Sequence, residues 1–348
     1  MIFKGAGDDI ILLMQTDTAV IVINHNGKEH LQECFSSLLA QSYSPLNLYM
    51  LDNASTDGSR EFVREHFPAV TILAMDKGYG FAGGFNRGVS LVREEFIGLV
   101  SNDTRVDRRW VEYMRGAMAA DRQAAIAGCK VLFYDRPGML NSAGQCITPL
   151  GMGFETGFGL PDQPRFNRPG AVASVCGAAM MVRKGMFERL GGFDESYFLL
   201  AEETDLCWRA WIAGYTVIYE PRAFILHKYG ATIGKRETPL RVFRTQRNSI
   251  ASVIKNRQDI YLGTALAGCI AVACARIIGR LLSGENALLK AQLNGLLALL
   301  PMLPQLLRKR RKLQAGRCRS DATLDRLKLF ASWPQTIREF IRIKKLGI

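Results

Sequence analysis

The feature that most limits what this chain can fold into is Thr18–Asn24 (TAVIVIN), an unbroken apolar run dominated by β-branched residues. A strand with one wet face alternates in polarity, whereas a continuous run fits a strand covered on both faces of a parallel sheet. The residues that follow keep to that plan. Residues 28–41 predict an amphipathic helix with Leu31, Cys34, Phe35, Leu38 and Leu39 along one side. Strands are expected at Leu46–Leu51, Val70–Ala74 and Phe96–Val100, with a helix at Arg60–His66. Strand and helix alternating at this cadence means βαβ units and an α/β fold. Ligands of such sheets bind at the carboxyl ends of the strands, so chemistry is expected in the loops after Ile23, Leu51 and Val100. Residues 130–200 read as looser, and order resumes at Ala178–Leu190 and at a helix over Glu203–Ala213.

The 348 residues leave room for one large α/β domain and an appendage. The formal net charge of +13 sits in one place. Residues 1–254 carry 27 basic and 27 acidic side chains, whereas residues 255–348 carry 18 and 5. Two apolar stretches in this tail, Ile260–Ala275 and Leu288–Leu307, precede the cluster Arg308–Lys312. The first is shorter than the roughly 20 apolar residues of a membrane-spanning helix. The second is diluted by Lys290, Gln292 and Asn294 and interrupted by Pro301 and Pro304. Helices lying in the headgroup region, or a reentrant hairpin, are expected, with the basic residues of 308–319 against an anionic membrane surface. The alternative is a soluble appendage packed on the front domain or on a second copy in a homo-oligomer. No reader motif accompanies the basic cluster, so nucleic acid is not an expected partner. Eight cysteines without a C-x-x-C pair speak against zinc or a disulfide framework and for reduced thiols in the cytosol. Asp8 and Asp9, ahead of Ile10–Met14, have the wrong charge for the start of a secretory signal.

Five stretches carry candidate chemistry. Asp52, at the tip of a buried strand, can accept hydrogen bonds from a base or ribose, while Ser55, Thr56 and Asp57 suit the start of the next helix. Residues 78–88 are Gly-dense without the Gly-Lys-Ser/Thr of a P-loop. Their glycines admit either a diphosphate at a helix N-terminus or a close helix-to-sheet contact. Asp103 follows a strand, where a carboxylate can hold a hard divalent cation bridging phosphates. Acids gather at Asp194, Glu195, Glu202, Glu203 and Asp205. The helix dipole favours acids in a first turn, yet three in four positions exceed what a cap requires, and a general base is one use of the surplus. His227, after the apolar run Tyr219–Leu226, suits phosphate or metal contact.

In this order the five stretches resemble glycosyltransferase family 2, in particular its bacterial rhamnosyltransferase-like branch, over about residues 18–255. The resemblance rests on Val20–Gly27, Asp52–Gly58, Gly80–Gly88, Cys176–Arg183 with Gly191–Glu195, and Glu202–Arg209. It implies a GT-A catalytic domain over 18–255, which leaves an N-terminal extension at 1–17 and, from its charge and apolar stretches, a basic, amphipathic helical region at 256–348. It implies that Asn24, Asn26, Asp52, Ser55, Gly80, Gly83, Asn86, Arg87, Asn102, Gly177 and Asp194 bind the nucleotide-diphosphate-sugar donor or lie beside it. Asp103, with His227, would hold Mg²⁺ or Mn²⁺. Glu203 would be the catalytic base, with Asp205 and Glu202 as rivals. Two departures stand out: Ser101 replaces the first residue of the family's metal motif, and Glu203 stands where the family has Asp.

The implied activity is inverting transfer of a sugar to a hydroxyl of a glycan or lipid-linked acceptor. The implied setting is the cytoplasmic face of the inner membrane, in cell-surface polysaccharide synthesis. The family's processive Gln-x-x-Arg-Trp motif is missing, which implies one sugar per binding event. A nucleotidyltransferase would carry a Gly-rich loop with a basic residue after the first strand, and residues 24–27 lack that form. A catalytically inactive assembly partner is the alternative that Ser101 and Glu203 leave open.

Overall fold

The computed structural model describes residues 16–230 and 237–345, with a short antiparallel pair near the N-terminus, β1 (Phe3–Lys4) and β2 (Ile10–Ile11). Residues 1–2, 5–9 and 12–15 of the N-terminal extension lie outside the described residues. The run that opens the sequence pattern is β3 (Thr18–Asn24). After it come α1 (Lys28–Leu39), β4 (Asn47–Asp52), α2 (Ser59–His66), β5 (Thr71–Ala74), α3 (Gly80–Leu91), β6 (Phe96–Ser101), β7 (Thr104–Val106) and α4 (Trp110–Ala120). Next are β8 (Ala124–Phe133), β9 (Leu140–Ser142), β10 (Gln145–Ile147), β11 (Gly153–Glu155), β12 (Gly170–Ala171) and β13 (Ala179–Arg183). Helices α5 (Lys184–Arg189) and α6 (Glu202–Ile212) lead to β14 (Thr216–His227). The remainder is helical: α7 (Pro239–Asn256), α8 (Asp259–Leu282), α9 (Asn286–Leu297), α10 (Leu299–Ala315), α11 (Asp321–Arg326) and α12 (Trp333–Lys345).

A ten-stranded sheet runs in the order β12-β14-β8-β13-β6-β3-β4-β5, with β7 on β14 and β9 on β8. Strands β6, β3, β4 and β5 are parallel, as the sequence pattern requires, and β13 enters antiparallel between β6 and β8. Side chains of β3 alternate between two cores. Ala19 and Ile21 face α3, α5 and α6, while Val20 and Val22 face α1, α2 and α4. In β14 the register against β8 shifts between Glu220 and Phe224, around Pro221, which has no N–H to give a ladder.

Of the two uses open to the Gly-dense stretch, the structure shows the close helix-to-sheet contact: it is helix α3, laid close on the sheet. A Cβ on Gly84 would stand 2.9 Å from Ile23 Cδ1 and 3.1 Å from Leu51 Cδ2. Gly80 has φ +68° and lies against Phe198, whose carbonyl accepts from the N–H of Phe81 (2.9 Å) and Ala82 (3.4 Å). The helix N-terminus expected to meet a diphosphate is therefore occupied by the chain's own backbone.

The C-terminal helices are built onto the sheet domain. Helix α7 packs against α6, α8, α9 and α10. Leu150 and Tyr197 share a core with Ile250, Val253, Ala265, Cys269, Leu299 and Leu306. Beyond α10 the chain returns: Arg319 donates to the carbonyls of Gly214 (2.7 Å) and Tyr215 (2.6 Å), and Phe330 meets Trp208. Helix α8 runs for 24 residues, longer than the apolar stretch within it, and among the described residues it is the one helix long and apolar enough to cross a membrane. Its inner stripe, Ala265, Cys269 and Ala273, is buried; Ile260, Ile270, Ile278, Leu281 and Leu282 are exposed.

The basic cluster is corrected in part. Arg310 is buried and donates to the carbonyls of Ile254 and Arg257 (2.6 Å each), and Lys309 reaches Asp194 (2.5 Å). Arg308, Arg311 and Lys312 remain exposed. Two predicted site residues are thereby reassigned to the scaffold. Lys255 Nζ lies 2.5 Å from Asp194 Oδ2 and 2.9 Å from Asp205 Oδ1, and Arg209 Nε lies 2.8 Å from Asp205 Oδ2. Asp205 also accepts from Asn256 (2.9 Å) and Tyr197 (3.3 Å). Neither carboxylate is free to serve as base or donor contact. Burial alone would raise both carboxyls, but the charge of Lys255, with Arg209 at Asp205 and Lys309 at Asp194, outweighs it and holds both below the ordinary value of 3.8. Their stabilisation is complete above that value and is lost as pH falls through the depressed range. Replacing Lys255 with Met removes the cation that two buried acids share and leaves each with one cationic partner, Lys309 at Asp194 and Arg209 at Asp205, and a loss of about 3 kcal/mol is expected in urea unfolding at pH 7. An unchanged midpoint would contradict the assignment.

Candidate active site

The parallel register sets the site. Asn24 stands opposite Asp52 across β3 and β4, and Ile23 opposite Ser101 across β3 and β6. Three strand ends and their loops thus meet at one edge, and hydrogen bonds tie them together. Asn102 Nδ2 donates to Asn24 Oδ1 (2.6 Å), and Asn24 Nδ2 donates to Ser55 Oγ (3.1 Å). Asn26, at φ +51°, donates its N–H to Ser55 Oγ (3.0 Å) and accepts from Thr56 N (2.7 Å). Asp52 is fully buried; its Oδ2 meets Arg60 Nε at 2.6 Å and accepts from Ser55 N at 3.3 Å. Arg60 is a partner that the sequence pattern does not announce.

Asp103 and His227 come together from opposite halves of the fold. Strand β14 pairs with β7 so that His227 stands opposite Thr104, and Lys228 N donates to Asp103 O (3.0 Å). His227 Nε2 lies 3.6 Å from Asp103 Oδ2, and its Nδ1 is 3.0 Å from Asn141 Oδ1. A neutral ring that donates from Nδ1 keeps its Nε2 lone pair beside Asp103, the arrangement a metal-binding histidine needs. Among the described residues no group of three or more His, Cys, Asp or Glu side chains gathers around one point. A carboxylate and an imidazole nevertheless fit Mg²⁺ or Mn²⁺ of the kind completed by substrate phosphates and water.

Glu203 sits at the same edge. A Cβ on Gly177 would stand 3.8 Å from Glu203 Cγ, and the next residue, Ala178, accepts from Ser101 N at 2.9 Å. Gln145 Nε2 donates to Glu155 Oε1 (2.8 Å) and to Glu203 Oε1 (3.4 Å), so one amide links two carboxyls. Burial raises Glu203, opposed by hydrogen bonds that include Gln145 and Thr204. Burial also pushes Glu155 up to about 7, with hydrogen bonds from Ser142 and Gln145 opposing and the Glu203 charge adding. Glu202 is buried and raised well above the ordinary carboxylate range, by burial first and the Glu203 charge second.

Four buried carboxylate oxygens among the described residues have no hydrogen-bond partner: Asp52 Oδ1, Asp103 Oδ1, Glu155 Oε2 and Glu202 Oε2. Acids left so are costly in a folded core unless a proton, ion, ligand or water meets them. Gly80, Gly83, Asn86 and Arg87 are engaged by the protein's own groups. Gly83 is hemmed in by Tyr79, Arg87 and Glu195. Asn86 clasps the backbone of Phe193 (2.8 and 2.9 Å), and Arg87 pairs with Glu195 (3.1 Å) while stacking on Tyr79. They hold the 193–195 loop. Gln145, Asn141 and Glu155, on or beside three-residue strands, were beyond sequence reasoning, because such strands carry no periodicity.

The fold is GT-A. The structure is similar to GalNAc-T7 with UDP, GalNAc and Mn²⁺ (TM-score 0.57, 14% identity, 70% of this chain and 48% of that one). It is also similar to the mannosyltransferase PcManGT from Pyrobaculum calidifontis with GDP-Man and Mn²⁺ (TM-score 0.52, 18% identity, 86% and 85%). The family described as Glycosyl transferase family 2 matches residues 19–191, and the chain belongs to it. Among sequences, the N-acetylglucosaminyl-diphospho-decaprenol L-rhamnosyltransferase of Mycobacterium tuberculosis is 26% identical over 244 residues, covering 62% of this chain and 77% of that one. The protein is a glycosyltransferase that draws on nucleotide-sugar donors.

The raised Glu202 carboxyl has a thermodynamic sign. An acid whose folded pKa lies above its unfolded value of 4.5 favours the fold below that value, and the advantage is lost as pH rises. Glu202→Gln should therefore melt close to the parent at pH 4.5 and higher than the parent at pH 8, by on the order of a few degrees. Parallel melting curves across that range would refute a buried, neutral Glu202.

Proposed function

We propose that this protein is an inverting, metal-dependent, non-processive glycosyltransferase that adds one sugar to a hydroxyl of a lipid-linked or glycan acceptor. Its setting in this reading is the cytoplasmic face of the plasma membrane, in cell-surface polysaccharide synthesis. The observation that supports it is the set of buried, unpartnered carboxylate oxygens on Asp52, Asp103 and Glu155, beside Glu203, at one edge of the sheet. In this reading Asp52, steadied by Arg60, takes the base or ribose, with Asn24, Asn26, Ser55 and Asn102 shaping the loop around it. Asp103 and His227 would hold Mg²⁺ or Mn²⁺, and the ion would supply positive charge toward the departing diphosphate. Glu203 accepts the proton of the acceptor hydroxyl as that oxygen bonds to the anomeric carbon. The bond from that carbon to the phosphate oxygen breaks, and the nucleoside diphosphate leaves with its electron pair.

The membrane setting is supported by the exposed apolar side of α8, whose inner stripe stays packed on the protein. A helix held in this way lies along a bilayer surface more readily than across it. Exposed Arg308, Arg311 and Lys312 supply charge toward anionic lipid. The rhamnosyltransferase relative, whose name contains a diphospho-decaprenol, favours a lipid-linked acceptor.

Glu203→Gln keeps the shape and removes the base. Transfer should fall by at least 100-fold, in the 10²–10⁴ range of a general base, while calorimetry detects donor binding as in the parent. The raised Glu203 carboxyl adds a sign: kcat/KM of the parent should decline with falling pH around a midpoint above the ordinary 4.5. Transfer by the variant at the parental rate would remove Glu203 from the role.

A further inference from the structure

A cavity of about 600 Å³ lies between the β10–β11 hairpin and the C-terminal segment, walled by Phe154, Glu155, Phe330, Gln335, Arg338 and Glu339. Its volume is within the roughly 300–1,000 Å³ of small-ligand sites. Its connection to the chemistry is a single side chain. Glu155 lines the cavity and shares the Gln145 amide with Glu203, while its Oε2 is buried and unpartnered. The cavity wall is thus one amide away from the proposed base.

The outer wall is helix α12, which has two faces. Gln335, Arg338 and Glu339 turn to the cavity, at the three- and four-residue spacing of one helical face. Trp333, Ile337 and Ile341, four residues apart, form an exposed apolar stripe on the other side. That stripe is continuous with α8, because Trp333 lies on Gly268: a Cβ there would fall 2.6 Å from its ring. Phe340 fixes the helix from within, packing on Phe154 of the hairpin. A chamber with Glu155, Gln335, Arg338 and Glu339 among its walls therefore opens beside the exposed apolar stripe of α12.

We infer that this cavity receives the hydroxyl-bearing sugar head of an amphiphilic acceptor, whose apolar tail lies along Trp333, Ile337 and Ile341 toward α8. The inference rests on the glycosyltransferase reading above and names the substrate class of the same site. The C-terminal region then completes the acceptor site as well as meeting the membrane.

The test uses the full-length protein with a panel of radiolabelled nucleotide-sugars. The acceptors are a lipid extract of the source organism's membranes in detergent and, separately, water-soluble methyl glycosides. Thr156, which also lines the cavity from the hairpin side, and Arg338 of α12 are each replaced by Trp to fill it, and calorimetric donor binding confirms that each variant is folded. Label should enter the lipid extract with the parent, fall at least tenfold with both variants, and leave donor affinity unchanged. Glu155→Ala should raise the acceptor KM at least tenfold and leave the donor KM alone. Parental rates in both Trp variants would overturn the cavity as acceptor site, and label confined to the methyl glycosides would overturn the amphiphile. A parent that binds and consumes no donor would instead sink the functional reading itself, a result distinguishable from either.

Discussion

The structure depends on the register of three parallel strands. With Asn24 set against Asp52 and Ile23 against Ser101, the polar ends of β3, β4 and β6 can only emerge side by side. A slip of one residue would turn every apolar side chain of β3 to the opposite core, so the packing that stabilises the sheet also fixes the site. Asn24 then acts as a tie between loops, holding Asn102 on one side and Ser55 on the other. The acids are presented in a frame that the hydrophobic cores have already determined. Their unsatisfied oxygens are a local cost carried by that frame.

The C-terminal helices extend the same frame. Lys255, at the end of α7, joins Asp194 and Asp205, and Lys309 of α10 adds a second cation to Asp194. Acids that look catalytic in the sequence thereby act as anchors, and cations that look lipid-facing act as their partners. Charge type at a position does not reveal which way the side chain turns. Asp205 and Glu203 are two residues apart on α6, and the 100° step of a helix sends one into the ion cluster and the other toward the cleft.

Much of the fold was legible because its strands have strong signatures. The unbroken run at 18–24, the amphipathic α1 and the turn at 52–58 gave the βαβ order, and strand-end logic led to Asp52 and Asp103. The ordered motifs singled out Glu203, which the structure brings to the same edge, and paired His227 with Asp103. Other parts were hidden for physical reasons. The glycines of α3 serve two conformations equally well on paper, and only the 2.9 Å approach to Ile23 decides for packing. Glu155 and Gln145 sit in strands too short to show a period, and their partners come from distant segments. The length of α8 was underread because Arg276 and Arg280 end the uncharged run before the helix ends.

The central claim is that Asp52, Asp103 and Glu203 share one cleft that holds a sugar joined to a nucleotide. Crystals grown with Mn²⁺ and a nucleoside diphosphate test it most directly, through the anomalous signal of manganese. The account places that signal about 2 Å from Asp103 and His227, with the base against Asp52 and Glu203 facing the space beyond the terminal phosphate. Manganese bound away from Asp103, or a nucleotide that Asp52 does not reach, would contradict it.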